Sequence, residues 1–224
     1  MNYKEFKIKG KFLPSKGLNF YLNPQVAFMM SKNSNLKSIY KIAENVYLDG
    51  ILLVWIFKLI SKKSYKRLSP DFSSYMHDLL SHVKKSKLRL AVIGGGPHEI
   101  NNFCDKVERI NSINIQLSKD GYFDSDEDVI KNVIEKNIDV LLLGLGTPKQ
   151  EVLASELVFQ YSNIEVYTCG AFISQEAQKT DNENYYPNWI DKLNLRFLYR
   201  IYKNPKLIKR YTYNYFFGIK YLLK

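Results

Sequence analysis

Asp49 in YLDG, Arg67 in YKRLSPDF, and GLGTPKQE from Gly144 to Glu151 are where residue type and spacing fit chemistry. A carboxylate at the mouth of a phosphate-binding sheet takes a proton from a hydroxyl, and a guanidinium forks onto a diphosphate. Each has an ordinary alternative. Asp49-Gly50 also suits a turn, and Arg67 also suits a solvated, lysine-rich surface, with Asp71 orienting it or capping the next helix. In GLGTPKQE, Thr147 reads as a helix N-cap, Pro148 as the first helical residue and Gln150 as the third, which is the spacing of a capping box. Capping does not require both Gly144 and Gly146, which let a ligand approach the free N–H groups of a helix start. The stretch is therefore either a tight turn or a phosphate or diphosphate site. Gly94, Gly95 and Gly96, followed by Pro97, form a second such corner. Neither carries the Gly-Lys-Ser/Thr of a P-loop or the full Gly-x-Gly-x-x-Gly dinucleotide pattern.

Other polar groups are less specific. Tyr122 in DGYF is either core or an aromatic platform for a base. Asp124 and Asp126 in FDSDED have the spacing of a metal-holding pair, but equally form an acidic helix start. A calcium loop fails because Val129 stands where glycine is needed. His77, His82 and His98 lack zinc-site spacing, so no metal site is expected.

The elements that position these residues follow one grammar. LRLAVIGGGPHEI, IDVLLLGLGTPKQEVLASEL and IEVYTCGAF each run from an apolar stretch through glycine toward a helix. Short apolar runs alternating with helices predict parallel strands buried on both faces. The expected class is α/β, a mainly parallel sheet with Rossmann-like strand-turn-helix units, plus a C-terminal basic helical appendage. A helix is predicted through DEDVIKNVIEKN, FYLNP reads as extended, and NVYLDGILLVW as a strand, or a strand and turn at Asp49-Gly50. Residues 1–190 are taken as the α/β domain and 191–224 as the appendage. There, Arg196, Arg200 and Lys203 share one helical face and Leu193, Phe197 and Ile201 another. Pro205 should break that helix, after which Ile208, Tyr211, Tyr215, Ile219 and Leu222 continue an apolar stripe.

Composition narrows the class. With 46% hydrophobic and 25% charged residues, the 224-residue chain reads as globular rather than disordered. No apolar run reaches the roughly 18 residues of a membrane span. The lysines of the N-terminal stretch lack a signal-peptide apolar region, and two cysteines, Cys104 and Cys169, form no metal or disulfide framework, so a cytoplasmic location is expected. The net charge of +11 is unevenly placed, because nine Lys/Arg and no Asp/Glu fall between Lys192 and Lys224. Such a tail fits an anionic membrane surface, and also a basic nucleic-acid-binding or RNA-modifying α/β protein.

Taken in order, YLNP, YLDG, GGGP, DGYF, GLGTPKQE and LRFLYRIYKNPKLIKRY resemble the WecG/TagA/CpsF family of bacterial glycosyltransferases over about residues 20 to 215. The resemblance implies inverting, metal-independent transfer from a UDP-sugar to a polyprenyl-diphosphate-linked sugar in cell-surface polysaccharide synthesis. The UDP-sugar is a substrate, no cofactor is implied, and nucleic acid drops out as a partner. Asp49 is similar to the family's catalytic base, Asn23 to its active-site asparagine, Arg67 to the arginine on the donor diphosphate, and Gln150 to the motif glutamine near the site. Gly94, Gly95, Gly96, Tyr122, Gly144, Gly146, Thr147, Lys149 and Glu151 are then candidate nucleotide-sugar contacts. Arg196, Arg200, Lys203, Lys206, Lys209 and Arg210 look like a membrane-binding appendage that also helps complete the site. That implies peripheral attachment to the inner face of the cell membrane, where self-association is an option. The chain departs from the family pattern at Tyr21-Leu22-Asn23, which lacks the motif threonine, at Arg67-Leu68-Ser69-Pro70-Asp71, which is one residue short and without glycine, and at Cys169-Gly-Ala-Phe.

Overall fold

The computed structural model describes residues 3–61, 63–179, 190 and 195–224. Leu193, the side chain of Arg196 and the 190/191 boundary read from the sequence lie outside the described positions.

Seven parallel strands form one sheet: β1 (Ile8–Lys9), β2 (Gly17–Leu22), β3 (Asn45–Leu48), β4 (Leu90–Gly94), β5 (Ile115–Lys119), β6 (Val140–Gly144) and β7 (Glu165–Thr168), in spatial order β1-β3-β2-β7-β6-β4-β5. Every carboxyl end therefore points the same way. The inner strands are buried on both faces and mostly apolar, as helices on both sides require, with Asn19, Asn45, Glu165 and Thr168 as buried polar exceptions. Edge strand β5 alternates half-buried with exposed, which hid it from a search for continuous apolar runs, and the two residues of β1 were too few to register.

Along one face run α1 (Pro24–Met30), α2 (Ser34–Ile42), α3 (Ile51–Ser61), α6 (Asp126–Glu135) and α7 (Lys149–Gln160), burying Leu36, Phe57, Val133 and Leu157 against Phe20, Val46, Leu141 and Val166. Along the other run α4 (Met76–Lys85), α5 (Pro97–Asn111) and α8 (Phe172–Ala177), burying Leu79, Phe103 and Phe172 against Tyr47, Val92, Leu142 and Tyr167. The chain leaves β2 for one face and its neighbour β7 for the other. Helices diverging from adjacent strand ends leave a crevice there, the usual ligand position in an open parallel sheet.

Two local expectations are corrected. ILLVW is helical, because Asp49 and Gly50 end the strand, Gly50 adopting φ +102°, and Leu53, Val54 and Phe57 then bury at helical spacing. A short apolar run cannot be assigned by periodicity alone. The capping box at Thr147 does not form either: α7 begins at Lys149 with no side-chain cap, and the Thr147 hydroxyl donates to Glu151 Oε1 at 3.0 Å instead. The rotamer that aims the hydroxyl at buried Glu151 leaves its oxygen making no bond to a helix N–H.

The basic tail forms α9 (Arg196–Lys203), stops at Asn204, makes a 3₁₀ turn over Pro205–Leu207 and a π turn over Arg210–Asn214, and ends in α10 (Tyr215–Leu223). The π turn resets the helical register, so Leu222 is buried but Ile208 stays exposed, outside the stripe expected of it. Helix α10 lies directly on α1. A Cβ at Gly218 would sit 1.9 Å from the Pro24 carbonyl oxygen, and Asn214 Nδ2 donates to Gln25 Oε1 at 3.0 Å. Gly218→Ala should raise intrinsic helix stability by about 1 kcal/mol, yet the clash should give a net loss of about 1–3 kcal/mol. Urea unfolding and limited proteolysis of the tail read the sign, and a stabilised variant would refute the close packing.

Candidate active site

The carboxyl ends of β2, β3, β4, β5 and β6, with the loop after α3, carry the predicted residues. The Asp49 N–H donates to the Leu22 carbonyl at 2.9 Å, holding the ends of β3 and β2 level. Leu68 N–H donates to the Leu48 carbonyl at 2.9 Å, so the returning loop lies beside the end of β3. This brings Arg67 and Ser69 to Asp49. An Arg67 terminal nitrogen donates to Ser69 Oγ at 2.5 Å and to Asp71 Oδ2 at 3.1 Å, Ser69 Oγ donates to Asp49 Oδ1, and Arg67 Nε lies 3.7 Å from the same oxygen. Both of these contacts to Asp49 use Oδ1. Asp71 orients Arg67 but does not cap the following helix: its Oδ1 accepts from Ser73 N–H at 2.9 Å within the preceding turn, and α4 starts without a side-chain cap.

Ser69 is the functional candidate that the sequence reading missed. It is almost fully buried, between the guanidinium and the carboxylate. The one available signal was the shortened Arg67-Leu68-Ser69-Pro70-Asp71 segment, in which a hydroxyl stands between the two charged positions.

Asn23 sits just beyond the end of β2, and its Oδ1 caps α1 by accepting from Val26 N–H at 3.0 Å. Gln150 is buried, with Oε1 accepting from Gly170 N–H at 3.1 Å and Nε2 donating to Glu151 Oε1 at 2.9 Å. It braces the corner after β6 against the corner after β7. Glu151 is 1% exposed, and its Oε1 also receives Thr147 Oγ1 and, at 3.4 Å, the hydroxyl of Tyr40, which bonds the Tyr21 carbonyl at 2.8 Å. Lys149 is exposed, with its ammonium 4.1 Å from the Phe123 ring centroid, and Tyr122 is 82% exposed beyond β5.

The glycines divide into two kinds. Gly94 and Gly144 pair across β4 and β6 where no side chain fits: a Cβ at Gly94 would lie 2.4 Å from the Gly144 oxygen, and one at Gly144 2.7 Å from the Gly170 oxygen. Gly50, Gly146 and Gly170 have positive φ, and a Cβ on any of them would meet nothing within 4 Å. These are the backbone positions a ligand can approach. The Gly96 N–H is already taken by Glu99 Oε2 at 2.8 Å. Ser174 and Gly96 together hold that carboxyl below the usual range, so the GGGP corner has its own internal anion.

The tail covers this edge. Arg200 reaches Gln175 on α8 at 3.4 Å while Asn214 holds α1, so the appendage spans the β2–β7 crevice. Tyr215 is half-buried, and its phenol is pushed up by loss of solvent, then by Tyr211 and by the charge of Asp49, against the opposing influence of Arg210 and Arg200. Arg210 Nε is buried without a hydrogen-bond partner among the described residues. Of the six cations expected to meet a membrane, Arg200 and Arg210 turn inward, whereas Lys203, Lys206 and Lys209 are exposed.

A parallel sheet with a carboxylate, a relayed guanidinium and open glycine corners at its carboxyl edge defines a group-transfer enzyme handling a phosphorylated donor. The chain belongs to the glycosyl transferase WecG/TagA/CpsF family, whose sequence profile matches residues 10–224, and it is a glycosyltransferase. It is 31% identical over 203 residues, 89% of this chain and 82% of the relative, to UDP-Gal:alpha-D-GlcNAc-diphosphoundecaprenol beta-1,4-galactosyltransferase of Shigella boydii. It is 26% identical to the N-acetylglucosaminyldiphosphoundecaprenol N-acetyl-beta-D-mannosaminyltransferase of Bacillus subtilis (strain 168), over 84% of this chain and 72% of the relative. To the enzyme of the same name from Bacillus spizizenii it is 23% identical, with the same coverage.

Burial acts most strongly on Glu151 and raises its carboxyl above the ordinary range, against hydrogen bonds from Gln150, Thr147 and Tyr40. A carboxyl that holds its proton more tightly when folded contributes stability that is complete below the unfolded value and lost as pH rises through the folded one. Glu151→Gln keeps the acceptor and removes the titration. Urea unfolding from about pH 4 to about pH 7 should therefore show wild type losing stability relative to that variant. Glu151→Ala, which strands Thr147 and Gln150, should cost about 1–3 kcal/mol. Parallel pH profiles for wild type and Glu151→Gln would contradict the raised carboxyl.

Proposed function

We propose that the protein moves a hexosyl or N-acetylhexosaminyl group from a UDP-sugar to a sugar carried on a polyprenyl diphosphate, in the assembly of a cell-surface polysaccharide. The observation that carries this is the Asp49–Ser69–Arg67 chain at the open edge of the sheet, beneath a cationic tail. The relatives support the substrate classes, since all three are named for a diphosphoundecaprenol-linked N-acetylglucosamine acceptor and the Shigella boydii enzyme for a UDP-linked donor.

In this reading Asp49 Oδ2 takes the proton of the acceptor hydroxyl as its oxygen bonds to the anomeric carbon. The bond from that carbon to the diphosphate breaks, and UDP leaves with the electron pair. A single displacement by one hydroxyl inverts the anomeric carbon. Ser69 holds the carboxylate by Oδ1 and so aims the other oxygen. Negative charge growing on the departing diphosphate meets Arg67, the inward Arg200 and Arg210, and backbone N–H groups beside Gly146 and Gly170. These cations supply the charge compensation, and the reading requires no divalent metal. The exposed Lys203, Lys206 and Lys209 face an anionic inner leaflet, contributing about 1 kcal/mol each near the surface, and hold the enzyme peripherally beside its lipid acceptor.

Calorimetric titration with UDP should give binding that AMP does not reproduce and that chelator leaves unchanged. Asp49→Asn should lower turnover about 10²–10⁴-fold while UDP affinity stays close to wild type, and Arg67→Ala should weaken both. Near-normal turnover in Asp49→Asn removes that residue as base, and loss of UDP binding on chelation removes the metal-free reading.

A further inference from the structure

We propose that α3 is a second membrane contact, lying in the interface of an anionic bilayer with Leu52, Trp55 and Leu59 toward the acyl chains. The proposal rests on the reading above, in which the acceptor is lipid-borne. Helix α3 buries Leu53, Val54 and Phe57 on its inner side, but its outer side is not polar. Leu52, Trp55 and Leu59, spaced by three and four residues, are 45%, 58% and 82% exposed, and together make one apolar stripe. Apart from the exposed Lys58, α3 presents apolar side chains outward as well as inward, and a helix of that kind is ordinarily enclosed by protein or lipid. With 11 residues it is about 16 Å long, so it lies in an interface rather than crossing one.

Charge selects the occupant. From Ile51 to Lys66 every charged side chain is a lysine, namely Lys58, Lys62, Lys63 and Lys66. A second copy on this face would bring two sets of lysines together, the exposed Lys58, Lys63 and Lys66 of each, whereas acidic phospholipid headgroups neutralise them and tryptophan favours the headgroup boundary. Position agrees. The helix begins two residues after Asp49, and α10, with Phe216 and Phe217 exposed, starts at Tyr215, which feels the Asp49 charge. Two apolar contacts thus flank the catalytic carboxylate, and a lipid diphosphate entering from the headgroup layer meets it directly.

Leu59→Cys tests this with a nitrobenzoxadiazole dye, because Cys104 and Cys169 are buried, their thiols pushed up by burial, that of Cys104 to about 12. On phosphatidylglycerol-rich vesicles the emission should shift to the blue and be quenched by nitroxide groups in the acyl chains. Leu59→Glu should lower vesicle partitioning about 10-fold or more and leave turnover on a soluble short-chain acceptor unchanged. Dye that stays in water on bound protein, or a Leu59→Glu variant that partitions like wild type, overturns the proposal. So does a blue shift without vesicles that tracks a dimer in sedimentation and disappears with Leu59→Glu, which would assign the face to a second copy. Absence of sugar transfer by wild type on the same vesicles counts against the proposed reaction, while the dye still reports whether α3 enters lipid.

Discussion

One backbone hydrogen bond, from Leu68 N–H to the Leu48 carbonyl, carries much of the site. It lays the loop after α3 along the end of β3, and from that alignment Ser69 falls between the Arg67 guanidinium and the Asp49 carboxylate. The same strand end is tied to β2 through Asp49 N–H and the Leu22 carbonyl, so Asn23 arrives beside it. With every strand parallel, the corners after β6 and β7 open on the same edge. A shift of one residue in the Leu68 pairing would turn Ser69 away and leave two charges facing each other without their bridging hydroxyl.

Polar groups beneath this edge are spent on shape. Gln150 and Glu151 stand in the most distinctive motif of the chain, yet their side chains bind one another, Thr147 and the Gly170 N–H. Burying a carboxyl is tolerated because several donors converge on one of its oxygens. The result is a rigid floor joining the loops after β6 and β7, from which Gly146 and Gly170 present bare backbone to the crevice. The neighbouring GGGP corner shows the opposite economy, since Glu99 and Ser174 fill its anion position from within the protein.

The tail has two sides with different tasks. Gly218 lets α10 settle on α1, and Arg200 meets Gln175 on α8, so the tail lies over the carboxyl edge of the sheet near Asp49. The lysines of the 3₁₀ turn and its neighbours stay in solvent. A charge tally over residues 192–224 treats all nine cations alike, but among the described ones Arg200 and Arg210 are half-buried against the protein while Lys203, Lys206 and Lys209 are exposed.

What the amino-acid sequence determined alone was local. Apolar runs ending in glycine marked β4, β6 and β7, the acids of FDSDED marked the start of α6, and the motif order from YLNP to GLGTPKQE marked the family. These are properties of consecutive residues, set by strand burial, helix dipoles and backbone freedom at glycine. Tertiary structure decided what depends on competition between distant partners. Thr147 has the spacing of a cap but gives its hydroxyl to buried Glu151, ILLVW has strand-like residues but is helical, and Ser69 becomes part of the site only because Leu68 pairs with Leu48. The division of the basic tail was illegible for the same reason: periodicity names the faces of a helix, but only the surface it lands on decides which face turns inward.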